Sequence, residues 1–176
     1  TSITIGNGVT SLSRYAFTGC TSLTSITIPN RATWIGEHAF EDCTSLTSIT
    51  IGNGVTSISS YAFKGCTSLT SITIPNSVTM IGEDAFYNCT SLKSITIPNS
   101  VTEIGWAAFK GCTSLKSFYG KFASEDNRCL IKDGVLLAFA PNGLTEYTIP
   151  NSVTKIEYSA FSGCSSLKSI KIPNSV

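Results

Sequence analysis

Seven cysteines are the residues of this chain best suited to chemistry, because thiolates bind metals and paired thiols form disulfides. Six of them occupy one position of a sequence repeat. Five of these are equally spaced along the chain, each as far from the next as Cys20 is from Cys43. This spacing contains no Cys-x-x-Cys pair for a zinc site. The six are Cys20, Cys43, Cys66, Cys89, Cys112 and Cys164, and Cys129 stands apart from them.

The repeat spacing predicts how these thiols are used. If each repeat is one coil of a stack, equivalent side chains lie about 5 Å apart and point the same way. A disulfide instead needs Cβ atoms about 3.8 Å apart and a nearly perpendicular torsion. We therefore expect small buried thiols that pack inside the coils. Thiols of this kind leave the redox compartment of the protein open.

His38 is the single histidine and hence the one imidazole that could act as a general base. The equivalent positions of other repeats hold Tyr15, Tyr61, Asp84, Ala107 and Ser159. A position with such varied side chains is expected to be exposed, so we interpret His38 as a solvated surface residue. The chain also contains no glycine-rich phosphate loop placed between a strand and a helix.

Acidic residues gather in the stretch SEDNRCLIKDG, residues 124–134. Its side-chain oxygens suit calcium, but they lack the alternating spacing of a calcium loop. We interpret the stretch as a solvated approach to a β-hairpin whose turn is Asp133-Gly134. The sequence thus predicts no cofactor, no metal site and no enzymatic activity. The oxygen-bearing residues are Glu125, Asp126, Asn127 and Asp133.

The cysteines and His38 are positioned by a repeat of twenty-three residues that covers the whole chain. An Ala-Phe pair recurs at this step from Ala16-Phe17 to Ala108-Phe109. Each unit holds two short β-branched segments, such as SITI and VTMI, and a segment such as GEDAFYNC that predicts one turn of helix. Two residues after each phenylalanine, a residue that tolerates a left-handed backbone predicts a cap. These residues are Gly19, Asp42, Gly65, Asn88, Gly111 and Gly163.

No single unit can bury its apolar residues alone, whereas stacked units bury like residues on like. We therefore predict one solenoid over residues 1–176, mainly β with short helical turns, and with the phenylalanines in a single interior row. One unit, residues 115–143, is six residues longer than the others and carries the predicted hairpin. The chain starts and stops partway through a unit, so we expect it to be a piece of a longer protein.

The stretch LTSITIPNSVTMIGEDAFYNCTSL, residues 69–92, matches the pattern of the BspA-like leucine-rich repeat at every position, and the whole chain resembles that family. The resemblance implies a leucine-rich repeat solenoid, a right-handed stack of coils. It further implies an extracellular or cell-surface protein that adheres to macromolecules of a host or neighbouring cell, without enzymatic activity. The family has no shared binding motif, so the resemblance assigns no site residues.

Composition narrows the range of partners. Charged residues make up 13% of the chain and the formal net charge is +1, so bulk electrostatics give no attraction for nucleic acid. No apolar run approaches the roughly 20 residues of a membrane span, and we expect no membrane insertion. We expect the partner to be a protein or a glycan.

Outward-facing residues of the SITI segments form candidate binding columns of serine and threonine, bordered towards the C terminus by lysines. Aromatic residues that break the repeat are further candidates, because exposed aromatic residues are favoured at interfaces. The candidate binding residues are Lys93, Lys116, Lys168, Lys171, Trp34, Trp106 and Tyr119. Hydroxyl columns are equally a soluble way to finish a strand. Phe118, Phe122 and Phe139, near the hairpin, equally fill a local core.

Two functions fit these features. The first is a binding module of a surface adhesin that uses the sheet face and the hairpin-bearing unit. The second is a structural spacer that presents another domain, since near-identical units supply length without a site. Hydroxyl rows also match an ice-binding surface, although solenoids of this kind usually curve. Uncapped ends of the stack predict end-to-end self-association.

Overall fold

The computed structural model describes the whole chain, Thr1–Val176, and contains fourteen β-strands and no helix. In chain order the strands are β1 (Ser2–Thr4), β2 (Ser25–Thr27), β3 (Trp34–Ile35), β4 (Ser48–Thr50), β5 (Ser57–Ile58), β6 (Met80–Ile81), β7 (Ser94–Ile97), β8 (Glu103–Ile104), β9 (Ser117–Gly120), β10 (Cys129–Lys132), β11 (Val135–Phe139), β12 (Glu146–Thr148), β13 (Lys155–Ile156) and β14 (Ser169–Lys171). We number the coils from leucine to leucine: coil 1 is 1–22, coil 2 is 23–45, coil 3 is 46–68, coil 4 is 69–91, coil 5 is 92–114, coil 6 is 115–143, coil 7 is 144–166 and coil 8 is 167–176.

The strands form two rows, because equivalent strands of neighbouring coils pair in parallel. The first strand row consists of the groups β1-β2-β4, β7-β9 and β12-β14, and the second consists of β3-β5-β6-β8 and β11-β13. Pairing is in register by repeat position, so that Ile26 faces Ile49 and Ile58 faces Ile81. A slip of one residue would turn every buried isoleucine outward, which fixes this register.

The phenylalanines form the single interior row that the sequence predicts. Consecutive rings from Phe17 to Phe109 are stacked with centroids 5.3–5.4 Å apart and planes within 10° of each other. Phe40, Phe63 and Phe86 are fully buried. Each of coils 2–5 therefore supplies the ring that covers the one before it, and the solenoid prediction is confirmed.

The prediction of a helical turn in each coil is wrong. In the turn segment of coil 2, residues 36–43, alternate N–H groups bond to different partners. Those of His38, Phe40 and Asp42 donate to the next coil at 2.7–3.2 Å. Those of Ala39, Glu41 and Cys43 donate three residues back within the same segment. An α-helix needs every N–H to bond four residues back, so bonding between coils replaces it.

Backbone angles in the turn segments explain this alternation. The six residues predicted as left-handed caps all have positive φ, between 56° and 84°. A second set with φ between 49° and 64° was not anticipated, because none of its members is glycine. It consists of Tyr15, His38, Tyr61, Asp84, Ala107 and Ser159. A left-handed residue costs roughly 1–2 kcal/mol, which the hydrogen bonds between coils must offset.

Coil 6 carries the predicted hairpin, β10–β11, with Asp133 and Gly134 both at positive φ in its turn. The six extra residues of this coil are the difference between an insertion and a deletion. The run from Leu115 to Leu136 is nine residues longer than the equivalent run from Leu92 to Ile104, whereas the run from Leu136 to Leu144 is three residues shorter than its equivalent. Coil 6 therefore gains a hairpin, and its turn segment is three residues shorter.

The shortened turn divides the core into two clusters. Phe118 packs edge-on against Phe109 at 74° and ends the stacked row. The larger cluster contains 37 buried residues, from Leu12 to Ala140, and the smaller contains six, among them Phe139 and Val153. Phe118 and Phe139 are buried, which confirms their role in a local core, whereas Phe122 is half-buried.

Candidate binding surface

The buried cysteines act as structural hydrogen-bond donors. Cys43, Cys66, Cys89 and Cys112 each donate Sγ–H to the phenylalanine carbonyl of the preceding coil, at 3.1–3.2 Å. All seven cysteines are free, and Cys20 and Cys164 are partly exposed. Burial raises the pKa of Cys43 to about 11 and that of Cys112 to about 12. These groups therefore remain neutral thiols near pH 7, a form suited to packing rather than nucleophilic attack.

His38 is not the solvated residue that the sequence suggested. Its ring is stacked between Tyr15 and Tyr61, with both centroid distances 4.7 Å, and its side chain is mostly buried. Its Nδ1 lies 2.6 Å from the carboxylate of Glu41, which also accepts a hydrogen bond from Lys64 at 2.7 Å. Because all three rings share one repeat position and one backbone conformation, they stack as the phenylalanines do.

The carboxylate of Glu41 is held in its charged form. Burial acts to raise its pKa, but the hydrogen bonds from Lys64 and His38 outweigh burial and leave the pKa lowered. This cluster ties coil 2 to coils 1 and 3.

Asp126 in the hairpin approach is exposed as predicted, yet its carboxylate is fully engaged by the protein. It accepts hydrogen bonds from the Ser124 hydroxyl, the Arg128 N–H and the Tyr147 hydroxyl at 2.6–3.0 Å. Burial acts to raise its pKa, but these bonds leave it lowered. The Tyr147 hydroxyl also lies 3.2 Å from Cys129 Sγ. This network attaches the hairpin to coil 7.

The outward positions of the first strand row form a surface that we call the sheet face. It has three columns, which contain the residues equivalent to Thr24, Ser25 and Thr27 of coil 2. The predicted exposure is confirmed, since Thr27, Thr50, Thr73 and Thr96 are all exposed and the serine column is exposed or half-buried. Apart from four lysines, Glu146 and Tyr119, every position of these columns is serine or threonine.

Five of the seven candidate residues lie on the sheet face. Lys93 and Lys116 are neighbours in the first column, where the Lys116 N–H donates to the Lys93 carbonyl at 2.9 Å. Thr145 holds this position in coil 7, and Lys168 bonds to Thr145 in the same way. Tyr119 pairs with Thr96 and Lys171 pairs with Thr148, so both belong to the third column.

The hairpin approach borders the sheet face between coils 6 and 7. The Phe118 N–H of β9 donates to the Asn127 carbonyl at 2.8 Å, and the Asn142 N–H donates to the Leu115 carbonyl at 3.0 Å. These two bonds take the place of direct pairing between β9 and β12. The insertion therefore lies beside Tyr119 and the lysines.

The two tryptophans lie elsewhere. Trp34 is in the second strand row, opposite Ser57, with 38% of its surface exposed. Trp106 is in the turn segment of coil 5 and is 66% exposed. In the same coil, the ammonium group of Lys110 lies 5.3 Å from the ring of Tyr87 and 5.5 Å from that of Tyr158. Sequence reasoning missed Tyr158, although it occupies the same repeat position as Trp106.

The hydroxyls of the chain fall into two kinds. Thr56, Thr79 and Thr102, which begin the second strand row, donate to backbone carbonyls of the preceding coil at 3.0–3.3 Å. On the sheet face, Thr24 and Thr47 do the same, but the serine and threonine hydroxyls of the second and third columns have no partner in the protein. These columns are therefore free to exchange water for an external partner.

A groove of about 490 Å³ opens beside the hairpin. Phe122, Ile131 and Pro150 give it an apolar lining, and Glu125 and Asp126 add acidic groups. It lies outside the sheet face and contains none of the candidate residues. The chain has no helix that could cross a membrane.

The repeat decides the family. A family model described as the BspA type leucine rich repeat region matches residues 1–116 and 137–176 in six copies. The chain belongs to this family. Residues 117–136, which the model does not match, contain β9, β10 and the start of β11, so the unmatched stretch of this BspA-type protein coincides with the insertion.

Solved structures of bacterial leucine-rich repeat proteins share the fold. A leucine rich cell surface protein from Faecalibacterium prausnitzii is 33% identical, with a TM-score of 0.76, and the match covers 100% of this chain and 55% of that one. A protein from Bacteroides ovatus is 32% identical, with a TM-score of 0.76 and coverages of 99% and 46%. A T. pallidum protein is 29% identical, with a TM-score of 0.69 and coverages of 97% and 68%.

The chain thus spans about half the length of two of these relatives and two thirds of the third. No protein with a curated description matches it.

Proposed function

We propose that this chain is a non-enzymatic binding module of a cell-surface or secreted protein. It attaches that protein to a protein or glycan on a host or neighbouring cell, and the sheet face is the contact surface. The observation that carries this proposal is that five candidate side chains and two columns of unbonded hydroxyls share the sheet face. Membership of the BspA-type family and the name of the F. prausnitzii relative, a cell surface protein, support it.

Adhesion of beads that carry the purified chain tests this proposal. The sheet-face variant Thr96→Glu/Thr148→Glu adds two carboxylates among the candidate lysines, where a partner would sit, and should reduce adhesion to epithelial or bacterial cells at least tenfold. The matched control Asn53→Glu/Asn76→Glu adds the same charge at exposed turns and should adhere like the original chain. No adhesion above that of uncoated beads, or equal adhesion by both variants, would contradict the proposal.

A structural spacer is the second candidate function. The sheet face of coils 1–4 carries only serine and threonine, so it supplies length and solubility without a distinctive contact. Under this alternative, alanine at Trp34, Trp106 and Tyr119 leaves the adhesion of the full-length protein unchanged. A drop in adhesion with the Tyr119→Ala change alone would decide against the spacer.

A further inference from the structure

Charge on the sheet face is confined to its C-terminal half. In coils 1–4 the three columns contain no ionisable side chain. From coil 5 onward they contain Lys93, Lys116, Lys168 and Lys171, and one acidic residue, Glu146. We call these four lysines the basic strip. The chain as a whole has a formal charge of only +1, so a local excess of this kind reflects segregation of charge rather than composition.

The lysines of the basic strip are exposed and have no ion-pair partner. The ion pairs of lysine and arginine join Arg14 to Glu37, Lys64 to Glu41 and Lys155 to Glu157, and all three lie on other surfaces. Five further carboxylates lie on the turn segments, the second strand row and the hairpin turn; they are Asp42, Glu83, Asp84, Glu103 and Asp133.

Two carboxylates of the hairpin approach stand closer to the strip. Asp126 is occupied by its three hydrogen-bond donors within the protein, and Glu125 lines the groove beside the hairpin. Together with Glu146, these two carboxylates leave the four lysines an excess of one positive charge. The basic strip is therefore a surface of net positive charge that attracts anions at long range.

The strip is long and narrow. Neighbouring coils are about 5 Å apart, so Lys93, Lys116 and Lys168, which extend over four coils, span at least about 15 Å along the solenoid axis. Lys171 lies three residues beyond Lys168, about 10 Å away along its strand. An extended chain with closely spaced anionic groups fits this arrangement better than a single anion does.

The surface between the lysines has the chemistry of a sugar-binding surface. Ser94, Thr96, Ser117 and Thr148 present hydroxyls without partners in the protein, and each can both donate to and accept from sugar hydroxyls. Tyr119 is 45% exposed in the middle of the strip and offers a flat apolar ring. Lys93 and Lys116 stand in neighbouring coils, about 5 Å apart. A polymer with one carboxylate for every two sugars has its charges too far apart to pair with both lysines.

We propose that the basic strip and Tyr119 bind a sulfated polysaccharide, laid along the C-terminal half of the sheet face. This inference rests on the proposed function and names the chemical class of its partner. The bound polymer pairs its sulfates with the lysines and its hydroxyls with the serine and threonine columns.

Affinity for immobilised heparin, a sulfated polysaccharide, tests the inference. The variant Lys93→Gln/Lys116→Gln/Lys168→Gln should bind at least tenfold more weakly than the original chain. The matched control Arg31→Gln/Lys132→Gln/Lys155→Gln removes the same charge elsewhere and should stay within twofold. Raising the salt concentration from 50 to 200 mM should weaken binding of the original chain, because exposed charges are screened. Equal thermal unfolding of the two variants establishes that both are folded.

Other polymers separate the alternatives. Neutral dextran should not compete with heparin, and hyaluronan, which has carboxylates alone, should compete weakly. Poly-glutamate that competes as well as heparin would overturn the inference in favour of an acidic protein partner. Equal losses in the two triple variants would overturn it as non-specific attraction.

The bead experiment distinguishes failure of this inference from failure of the proposed function. If beads adhere and the Thr96→Glu/Thr148→Glu variant blocks adhesion, but heparin neither binds nor competes, the partner class is wrong and the binding module stands. If heparin binds at the strip but the beads adhere to no cell, the inference stands and the proposed adhesive role is wrong.

Discussion

Coils 2–5 and the hairpin-bearing coil 6 solve the same packing problem in different ways. In the regular coils, identical side chains are stacked on one another, with parallel phenylalanine rings and a matching row of thiols. Around coil 6, Phe139 packs at tilted angles against Tyr147 and Phe161, and a polar network attaches the hairpin to coil 7. Repetition lets one set of contacts serve every coil, whereas an interruption needs contacts of its own.

The interruption also creates the surfaces that distinguish this chain from a uniform solenoid. The hairpin forms one wall of the groove that Phe122 lines, and the ring of Tyr158 in coil 7 lies near Lys110 of coil 5, across the shortened turn segment of coil 6. Tyr119 replaces a threonine of the sheet face in coil 6 itself. The groove, the contact of Tyr158 with Lys110 and the exposed ring of Tyr119 therefore all lie at or beside the interruption.

The largest expected effect is the loss of a ring from the stacked row. Phe63→Ala removes a fully buried ring between two others and should lower the free energy of unfolding by about 3–5 kcal/mol. Phe139→Ala opens the smaller cluster and should loosen coils 6–8 while coils 2–5 stay protected. Urea unfolding measures the first effect and amide hydrogen exchange the second. Uniform loss of protection in Phe139→Ala would show that the two regions unfold as one unit.

The next largest effect concerns the thiol row. Cys89→Ala removes one of the two donors to the buried Phe63 carbonyl, which keeps its bond from the Cys66 N–H at 3.1 Å, and it opens a small cavity, so it should cost about 1 kcal/mol. Cys20 occupies the same repeat position but is partly exposed and donates no hydrogen bond, so Cys20→Ala is the matched control and should be nearly neutral. Thermal unfolding compares them, and equal costs would show that the hydrogen bond adds nothing to stability.

A smaller effect is the dependence of stability on pH, which one carboxylate in the regular coils and one at the hairpin should produce. Glu41 in the regular coils and Asp126 at the hairpin both have a pKa below the ordinary value. A lowered pKa in the folded state contributes stability above the unfolded-state pKa, about 4 for these groups, and loses it as pH falls through the folded-state value.

We expect Asp126→Asn to speed hydrogen exchange in β10 and β11 at pH 7, and Glu41→Gln to act on coils 1–3. Each change should cost about 1 kcal/mol or less at pH 7 and little at pH 2. Effects of the same size at both pH values would rule out the charged carboxylate as the cause.

The smallest expected effect is weak association of the isolated chain. Ile170, Ile172 and Val176 are exposed on coil 8. We expect end-to-end contacts that static light scattering detects as a rise in apparent mass with concentration. Ile172→Lys should abolish this rise, and Tyr158→Lys, a change at an exposed side position, should not. A constant monomer mass at all concentrations would contradict this expectation.

Much of the fold could be predicted because the same pattern of apolar and cap residues recurs in successive units. Recurrence of Phe40, Phe63 and Phe86 predicts a single row, and glycine, asparagine or aspartate at the cap position predicts positive φ. The prediction of a helical turn is wrong because the sequence shows only the local helix propensity of the segment. It does not show that alternate N–H groups of the segment bond to the next coil. His38 was misjudged for a related reason: Tyr15 and Tyr61, one repeat away on either side, become its stacking partners only when the coils are assembled.

Sequence by itself determined the coil length, the buried columns and the position of the hairpin, since these follow from which residues are apolar and how often they recur. Tertiary structure decided that coil 6 has a shortened turn segment and that Asp126 and Tyr147 attach the hairpin. It also decided that Tyr119 lies in the same columns as the lysines, which the sequence had already grouped, while Trp34 and Trp106 lie apart. The reason is physical: a repeat fixes what each coil buries, whereas neighbours on the surface depend on how successive coils are laid beside one another.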